Sequence, residues 1–230
     1  MRIVATSDTH YPPFVRRLDM MLNTVWDPTI PIPDGDVFVH AGDLMRMGYP
    51  DEWGPAVEWL ARLPHKHKFY VPGNHDFHLQ VYPGPALQQL RQAGVTVVGL
   101  PGNDQYASVR LPNGMRMLGL PYVTNLPRWA YNTTEETLRA HLLKVWAPGE
   151  QDIIVSHMPV KGFLDVADNG LHAGCKAYRA YLDMMKPKVW ICGHIHEGYG
   201  EVAYNTTRLY NVAMCNRDYK HVNAPMIIEV

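Results

Sequence analysis

Residues 68–76 read KFYVPGNHD, in which an apolar run typical of a buried β-strand passes into a turn carrying Asn74, His75 and Asp76. Four more clusters of Asp and His follow strand-like runs in the same way. They are Asp8-Thr9-His10, Gly42-Asp43, Ser156-His157 and Gly193-His194-Ile195-His196. In open α/β sheets, the loops after the carboxyl ends of the strands converge on a common crevice where ligands bind. The sequence therefore predicts that all five clusters form one site.

The composition is that of a globular protein with a substantial core. The chain has 230 residues, of which 47% are hydrophobic and 19% charged, and these values predict one domain over residues 1–230. The net charge of −1, without a Lys/Arg block, disfavours nucleic acid as a partner, although net charge says nothing about a local basic groove. Three cysteines without CxxC spacing favour reduced thiols and a cytoplasmic location. No signal peptide and no apolar run of roughly 20 residues is found, so no membrane association is expected.

Strand-like and helix-like segments alternate along the chain. Apolar residues recur at helical spacing in several segments. The predicted helices cover residues 14–25, 51–63 and 85–93, and a fourth begins at a capping box formed by Thr133 and Glu136 and carries Leu138, Leu142 and Val145. Asn113-Gly114, between residues 105–111 and 115–120, is a strong hairpin signal, so antiparallel strands should interrupt the βα pattern. The pattern as a whole indicates an α/β fold with two packed sheets and helices on the outside.

The spacing of the Asp and His residues suits metal binding. Asp8 and His10 are two residues apart, so on an extended segment both side chains would point to the same side and could reach one ion. His194 and His196 repeat this spacing after a glycine and could serve one ion each. Asp43 also follows a glycine, which permits a sharp turn, and its two carboxylate oxygens could bridge two ions.

Asn74 and His157 complete the predicted ligand set, which is then large enough for two divalent cations with about four protein ligands each. Two such cations lower the pKa of a bridging water and hold both oxygens of an in-line displacement at phosphorus. Mixed oxygen and nitrogen ligands suit Mn²⁺, Fe and Zn²⁺, and Mn²⁺ is our first expectation. His75 and Asp76 are not needed as ligands, so His75 could protonate a leaving oxygen while Asp76 orients its ring.

Together, the motifs Asp-x-His, Gly-Asp, Gly-Asn-His-Asp, His and Gly-His-x-His resemble the calcineurin-like metallophosphoesterase superfamily. The resemblance implies a four-layer α/β/β/α sandwich, in which two mixed β-sheets are flanked by helices. It implies two metal ions with the following ligands: Asp8, His10, Asp43 and His196 for the first, and Asp43, Asn74, His157 and His194 for the second. It also implies attack by a metal-bound hydroxide, with His75 as the general acid and Asp76 as its partner.

Within the superfamily, three stretches are similar to the metallophosphoesterase-domain-containing (MPPED-type) proteins, a group of cyclic-nucleotide-phosphodiesterase-like enzymes. They are Ser7-Asp8-Thr9-His10, Trp129-Ala130-Tyr131-Asn132 and residues 193–200. One departure separates the chain from another branch. Arg46 stands three residues after the Gly-Asp aspartate, where purple acid phosphatases have a metal-binding tyrosine, so a tyrosinate-bound ferric site is not expected.

These features predict a phosphodiesterase that acts on a small phosphoester such as a cyclic nucleotide, as a monomer or homodimer. The alternatives are a nuclease, a phosphomonoesterase and a non-catalytic scaffold protein with the same fold. Lost ligands would mark the scaffold, whereas every motif position is filled here. Polar side chains in neighbouring loops are candidates for substrate contact: Arg46, His78, Asn103 and Asn216. Isolated histidines such as His40 and His221 are interpreted as ordinary core or surface residues.

Overall fold

The computed structural model describes residues 1–11, 31–102, 107–145 and 151–230. Within these ranges the strands are β1 (Arg2–Thr6), β2 (Val37–His40), β3 (His67–Tyr70), β4 (Val95–Val97), β5 (Ser108–Arg110), β6 (Arg116–Leu120), β7 (Val123–Thr124), β8 (Asn132–Thr133), β9 (Ile153–Ser156), β10 (Val189–Cys192), β11 (Gly200–Tyr204), β12 (Thr207–Asn211) and β13 (Met226–Glu229). The helices are α1 (Pro50–Arg62), α2 (Phe77–Val81), α3 (Pro83–Gln92), α4 (Glu135–Val145) and α5 (Lys176–Met185).

Two mixed sheets contain most of these strands. The first has the order β13-β1-β2-β3-β4, in which β1 to β4 are parallel and β13 is antiparallel to β1. The second has the order β11-β12-β10-β9-β6-β5, in which the four central strands are parallel and both edge strands are antiparallel to their neighbours. In both sheets, therefore, the parallel strands send their carboxyl ends to one edge, which is where the predicted site residues follow.

The sheets pack face to face, with helices on both outer sides. Alternate residues of each strand point to opposite faces: Ile3 lies in a buried cluster shared with Ile191 of the second sheet, whereas its neighbour Val4 packs with the helices. On that outer face, α1 and α3 contribute buried apolar side chains such as Leu60 and Leu90. On the outer face of the second sheet, α4 and α5 do the same. This arrangement confirms the predicted four-layer α/β/β/α sandwich.

The structure confirms most of the predicted elements that it describes and adds one long helix. The hairpin around Asn113-Gly114 is present, since β5 pairs antiparallel with β6. The predicted helix at 14–25 lies outside the described residues, and the assignment of residues 1–230 to a single domain stays a prediction. Helix α5 was not predicted, although Tyr178, Tyr181 and Met185 recur at helical spacing and are buried. Within the described ranges, none of the helices has the length and apolar character needed to cross a bilayer.

Candidate metal centre

The five polar clusters meet where the carboxyl ends of the two sheets come together. Ser7 bridges the sheets there, because its N–H donates to the Val212 carbonyl (3.0 Å) and its carbonyl accepts from Met214 N (2.9 Å). The first two loops are also joined, since Asp8 N donates to the Gly42 carbonyl at 2.9 Å. Backbone hydrogen bonds thus fix the positions of the loops independently of any ligand.

Two groups of potential ligands lie side by side in this region. In each group the candidate ligand atoms are all within 4.8 Å of one another. The groups are Asp8, His10 and His196, and Asp43, His157 and His194. Asp43 also falls within this distance of His10 and His75, so it lies between the two groups. Asn74 adds to the second, because its Oδ1 is 3.0 Å from His157 Nε2. The structure therefore brings together all seven residues predicted as ligands.

The histidine rings are oriented for metal binding by backbone carbonyls. In three of them the Nδ1 atom faces a carbonyl, which can only accept a hydrogen bond, so Nδ1 carries the hydrogen. The pairs are His10 with Met45 (3.1 Å), His157 with Ala41 (2.9 Å) and His196 with Asn216 (2.9 Å). In a neutral ring the Nε2 atom then presents a lone pair, and the Nε2 atoms of His10 and His196 are only 3.4 Å apart. With both rings neutral, two lone pairs would converge at this distance and fit a cation between them.

The two buried carboxylates give the site its negative charge. Asp8 is fully buried and Asp43 is 2% exposed. Burial raises the pKa of Asp8, but the hydrogen bond and charge of His196 outweigh it, so the pKa lies below its usual range. Burial likewise raises the pKa of Asp43, and the charges of His157 and His75 outweigh it. Both side chains are therefore ionised at neutral pH and attract positive charge.

The histidines divide into two classes by the direction in which their pKa is shifted. Burial lowers the pKa of His157 and His196, but their contacts with Asp43 (3.2 Å) and Asp8 (3.4 Å) raise it to about 9. For His10 and His194, burial dominates and lowers the pKa to about 3 and about 4. Those two rings are neutral at neutral pH, which is the form of imidazole that binds metal ions.

Four of the predicted ligands have left-handed backbone conformations, and this corrects part of the sequence argument. The φ angles are 50° for Asp8, 44° for His10, 55° for Asp43 and 69° for His194. Such conformations cost about 1–3 kcal/mol each for residues other than glycine and cluster at functional sites. The expectation that Asp8 and His10 lie on an extended segment was wrong. Both side chains reach the site because the backbone turns sharply at each of them.

Glycines next to the ligands allow the close approach of the loops. Gly42 has a φ of +101°, and a Cβ there would lie 2.3 Å from His157 Nδ1. A Cβ on Gly73 would lie 2.4 Å from Asp43 Oδ1. Both distances are far below van der Waals contact, so no larger residue fits. The sharp turn predicted before Asp43 is confirmed.

His75 and Asp76 are both present at the site but are not paired with each other. The His75 Nδ1–H donates to the Arg46 carbonyl, and His75 Nε2 lies 3.9 Å from Asp43 Oδ2. The Asp76 carboxylate accepts four backbone hydrogen bonds of 2.7–3.1 Å, from Asp43, Leu44, Met45 and Gly73. The predicted role of Asp76 in orienting the His75 ring is therefore corrected. Asp76 holds the Gly-Asp loop and the Gly-Asn-His-Asp turn together, and Arg46 orients the ring.

The candidates for substrate contact have other partners in the structure. The Arg46 guanidinium lies over the Tyr219 ring at 4.5 Å. The His78 ring stacks on Trp53 at 4.8 Å, away from the ligand groups. Asn216 supports His196 through its carbonyl, and its side chain accepts from Asp218 N and Lys220 N within its own turn. Asn103 lies outside the described residues.

Two histidines interpreted as ordinary residues support the first loop. The Thr9 Oγ1 atom, between the two ligands of the first motif, is 2.9 Å from His40 Nε2. The His221 Nε2–H donates to the Thr9 carbonyl at 2.6 Å. Their positions in the sequence carry no signal for this role, because both contacts join segments far apart in the chain.

A cleft of about 330 Å³ opens over the ligand groups. Five of the predicted site residues line it: Asp43, Asn74, His75, His194 and His196. Its other walls are formed by residues that the sequence analysis did not select as site residues, namely Leu126, Trp129, Asp168, Glu197, Arg217 and Tyr219. The Trp129 ring is 4.4 Å from the His75 ring, so an aromatic surface adjoins the candidate proton donor.

Comparison with known proteins agrees with this geometry. Residues 1–198 match the calcineurin-like phosphoesterase family. The chain is 31% identical to metallophosphoesterase domain-containing protein 1 of Homo sapiens and of Mus musculus, over 100% of this chain and 71% of each relative. A solved structure from Thermus thermophilus has a similar fold, with a TM-score of 0.57, 12% identity, and coverage of 91% of this chain and 88% of the other.

The fold and the cluster of acidic and histidine ligands define a metal-dependent phosphoesterase. The chain belongs to the calcineurin-like phosphoesterase family, whose members use divalent metal ions. Among the described residues, the two ligand groups named above could hold such ions.

Proposed function

We propose that this chain is a phosphodiesterase that hydrolyses small phosphodiesters such as cyclic nucleotides. It would use two divalent metal ions, and Mn²⁺ is the ion that we expect first. One observation carries the proposal: the two ligand groups adjoin each other beside a single cleft, with Asp43 between them and itself lining the cleft. A shared carboxylate is what two ions a few ångströms apart require, because each of its oxygens can bind one ion.

The residues of the chain fix the geometry that bound ions would need. Asp8 Oδ2 accepts hydrogen bonds from Ser7 Oγ (2.6 Å) and His194 N (2.9 Å), which leaves Oδ1 directed at the first ligand group. Asp43 Oδ1 accepts from His75 N at 2.8 Å. These hydrogen bonds hold both carboxylates in fixed orientations before ions bind. Divalent ions, when bound, would supply Lewis acidity at phosphorus and lower the pKa of a coordinated water.

His75 is well placed to give a proton to the leaving oxygen. Its Nδ1 hydrogen is committed to the Arg46 carbonyl, so only Nε2 can exchange a proton with a substrate. Nε2 is near Asp43 Oδ2, and His75 lines the cleft. A doubly protonated ring would therefore donate from Nε2 into the cleft, and the fixed ring plane limits the directions of donation.

The walls of the cleft favour a small substrate with an aromatic part. A volume of about 330 Å³ suits a ligand of nucleotide size. Trp129 offers a ring face beside His75, and stacking of a base on such a face contributes about 1–3 kcal/mol. Asp168 and Glu197 share the wall with Arg217, and this balance of charges suits a single phosphodiester better than a polyanionic nucleic acid.

A metal-reloading experiment tests the proposal. The protein is stripped with a chelator, reloaded separately with Mn²⁺, Fe²⁺ or Zn²⁺, and assayed on an aryl phosphodiester, an aryl phosphomonoester and a panel of cyclic nucleotides. We expect metal-dependent hydrolysis with a preference for the diesters and saturation at two ions per chain. Faster hydrolysis of the monoester would favour a phosphomonoesterase, and absence of turnover with every metal would refute the proposal.

The role of His75 predicts a dependence on the leaving group. His75→Ala should slow hydrolysis of a diester with a poor alkoxide leaving group by about 100-fold or more, because general acid catalysis contributes about 10²–10⁴-fold. An activated nitrophenyl ester, whose leaving group needs no proton, should lose less than about tenfold. The measurement is kcat for the two esters in the wild type and the variant.

His67→Ala is the matched control, since His67 begins β3 at the end of the strand away from the site. Both rates should be unchanged in this control. Equal losses on the two esters in His75→Ala would argue for a positioning role and against proton donation.

A further inference from the structure

A second cavity adjoins the main cleft across Leu126 and His194, which line both spaces. Its volume is about 240 Å³, enough for a small substituent of a phosphodiester. His75 lines the main cleft and does not line this cavity. A substrate whose phosphorus lies over the ligand groups could therefore place one ester arm beside His75 and the other in the second cavity.

The charged residues of the second cavity are mainly basic. Lys161 and Lys176 line it, together with one carboxylate, Glu135. That carboxylate is already engaged, because it accepts hydrogen bonds from Lys176 N (3.0 Å) and Ala177 N (2.7 Å) at the start of α5. The charge of Glu135 is thus partly balanced by the positive end of the helix dipole. The two lysine ammonium groups give the cavity its net positive character.

Both lysines keep hydrogen-bonding capacity for a ligand. The Lys161 ammonium donates to the His172 carbonyl, which holds it at the wall of the cavity. An ammonium group has three N–H donors, so this bond leaves two. Lys176 is exposed at the first position of α5. Both lysines line the cavity and have N–H donors available for an anionic group in it.

The walls of the main cleft, as far as the described residues form them, include no lysine. Arg217 is paired with Asp168 at 3.4 Å, and Glu197 adds a second carboxylate. An anionic ester arm would therefore be attracted to the lysine side more than to these walls. The charge distribution gives the site a direction, because His75 lines the cleft and does not line the cavity that holds the lysines.

We propose that the second cavity binds the part of the substrate that stays on phosphorus, and that this part carries an anionic group, either a carboxylate or a phosphate. The inference rests on the proposed function and concerns acyclic phosphodiesters, whose two ester arms are separate groups. In the reaction, the oxygen of a water molecule bonds to phosphorus and the P–O bond on the His75 side breaks. The departing oxygen takes a proton and leaves as a neutral alcohol. The product that remains is the phosphomonoester of the anionic arm.

An asymmetric diester tests this direction within one molecule. Phenyl 4-carboxyphenyl phosphate has two aryl arms that differ by one carboxylate, and the ratio of phenol to 4-hydroxybenzoate released is measured by chromatography. Intrinsic reactivity slightly favours departure of the carboxylated arm, because its phenol is the stronger acid. We expect the metal-loaded wild-type enzyme to reverse this intrinsic preference and to release about tenfold more phenol than 4-hydroxybenzoate. This is the effect of one or two ion pairs.

Substitution of the lysines should remove the preference. In Lys176→Met, and separately in Lys161→Met, the ratio should fall toward one, with a rise in KM for the asymmetric ester. Lys188→Met is the control, since Lys188 pairs with Asp152 (2.9 Å) at the start of β10, away from the site, and should keep the wild-type ratio.

Two results would overturn the inference while the proposed function stands. One is hydrolysis of diphenyl phosphate together with equal or reversed release from the asymmetric ester. The other is a wild-type ratio in both lysine variants. Failure to hydrolyse even diphenyl phosphate and a nitrophenyl diester would refute the proposed function and this inference with it.

Discussion

Asp43→Asn should lower metal-dependent phosphodiester turnover by roughly a thousandfold or more, because metal ions supply several kcal/mol of transition-state stabilisation. Asp43 lies between the two ligand groups, with Oδ1 3.2 Å from His157 Nε2 and Oδ2 3.9 Å from His75 Nε2. Asparagine has nearly the same shape but only one oxygen and no charge, so it cannot serve two ions. The measurements are kcat and the number of ions bound per chain.

Because asparagine has nearly the shape of aspartate, the substitution can remove metal binding without disturbing the fold. The N–H of His75 can still donate to an asparagine oxygen, so the circular dichroism spectrum should be unchanged. Asp183→Asn is the control, because Asp183 is exposed on α5 and pairs only with Arg179 one turn earlier among the described contacts. That pair contributes less than about 1 kcal/mol, and neither turnover nor metal content should change. Two bound ions and near wild-type turnover in Asp43→Asn would show that Asp43 does not join the sites.

The positions of the site residues could be predicted because they follow from the alternation of strands and polar turns. Asp8, Asp43 and His157 come shortly after β1, β2 and β9, which are short, buried and parallel to neighbouring strands. Parallel strands that share an edge send the following loops to the same place. This rule needs only the order of the elements, and it therefore works without knowledge of any contact.

The backbone conformation of the ligands could not be predicted in the same way. Asp8 and His10 have positive φ angles, and their N–H groups donate hydrogen bonds to carbonyls of the Gly-Asp loop, including His10 N to the Asp43 carbonyl at 3.1 Å. Those partners lie more than thirty residues away in the sequence. A spacing of two residues indicates a shared side only while the chain is extended, and the tertiary contacts override that local preference.

Adjacency in the sequence was also a poor guide to pairing. His75 and Asp76 are neighbours, yet the His75 ring bonds to the Arg46 carbonyl and the Asp76 carboxylate to backbone N–H groups. A buried carboxylate requires several donors, and the Gly-Asp loop supplies three of the four. Trp129 and Arg217 were missed as wall residues for a related reason, because they lie far in the sequence from the His75 turn with which they share the cleft.

Gly193→Ala should lower the free energy of unfolding by about 3 kcal/mol or more, since overpacking of a buried site typically costs about 1–3 kcal/mol and more where backbone cannot shift. A Cβ at this position would lie 2.1 Å from Ser7 Oγ and 2.2 Å from Asp8 Oδ2. Ser7 and Asp8 are fully buried and bonded to each other at 2.6 Å, so neither can retreat without breaking the first ligand group. For a chain of this size the loss corresponds to roughly 6–12 °C in Tm.

The control for this prediction is another alanine substitution, at Gly54 in α1. No atom lies within 4 Å of a Cβ there, apart from its chain neighbours and the nearby backbone of its own helix. The gain in helix propensity is opposed by the following Pro55, so the free energy of unfolding should change by less than about 1 kcal/mol. Thermal unfolding of both variants, with and without added Mn²⁺, is the measurement. If Gly193→Ala melted within a degree or two of wild type and still bound two ions, β1 and β10 would not be packed closely enough for Gly193 to position Asp8.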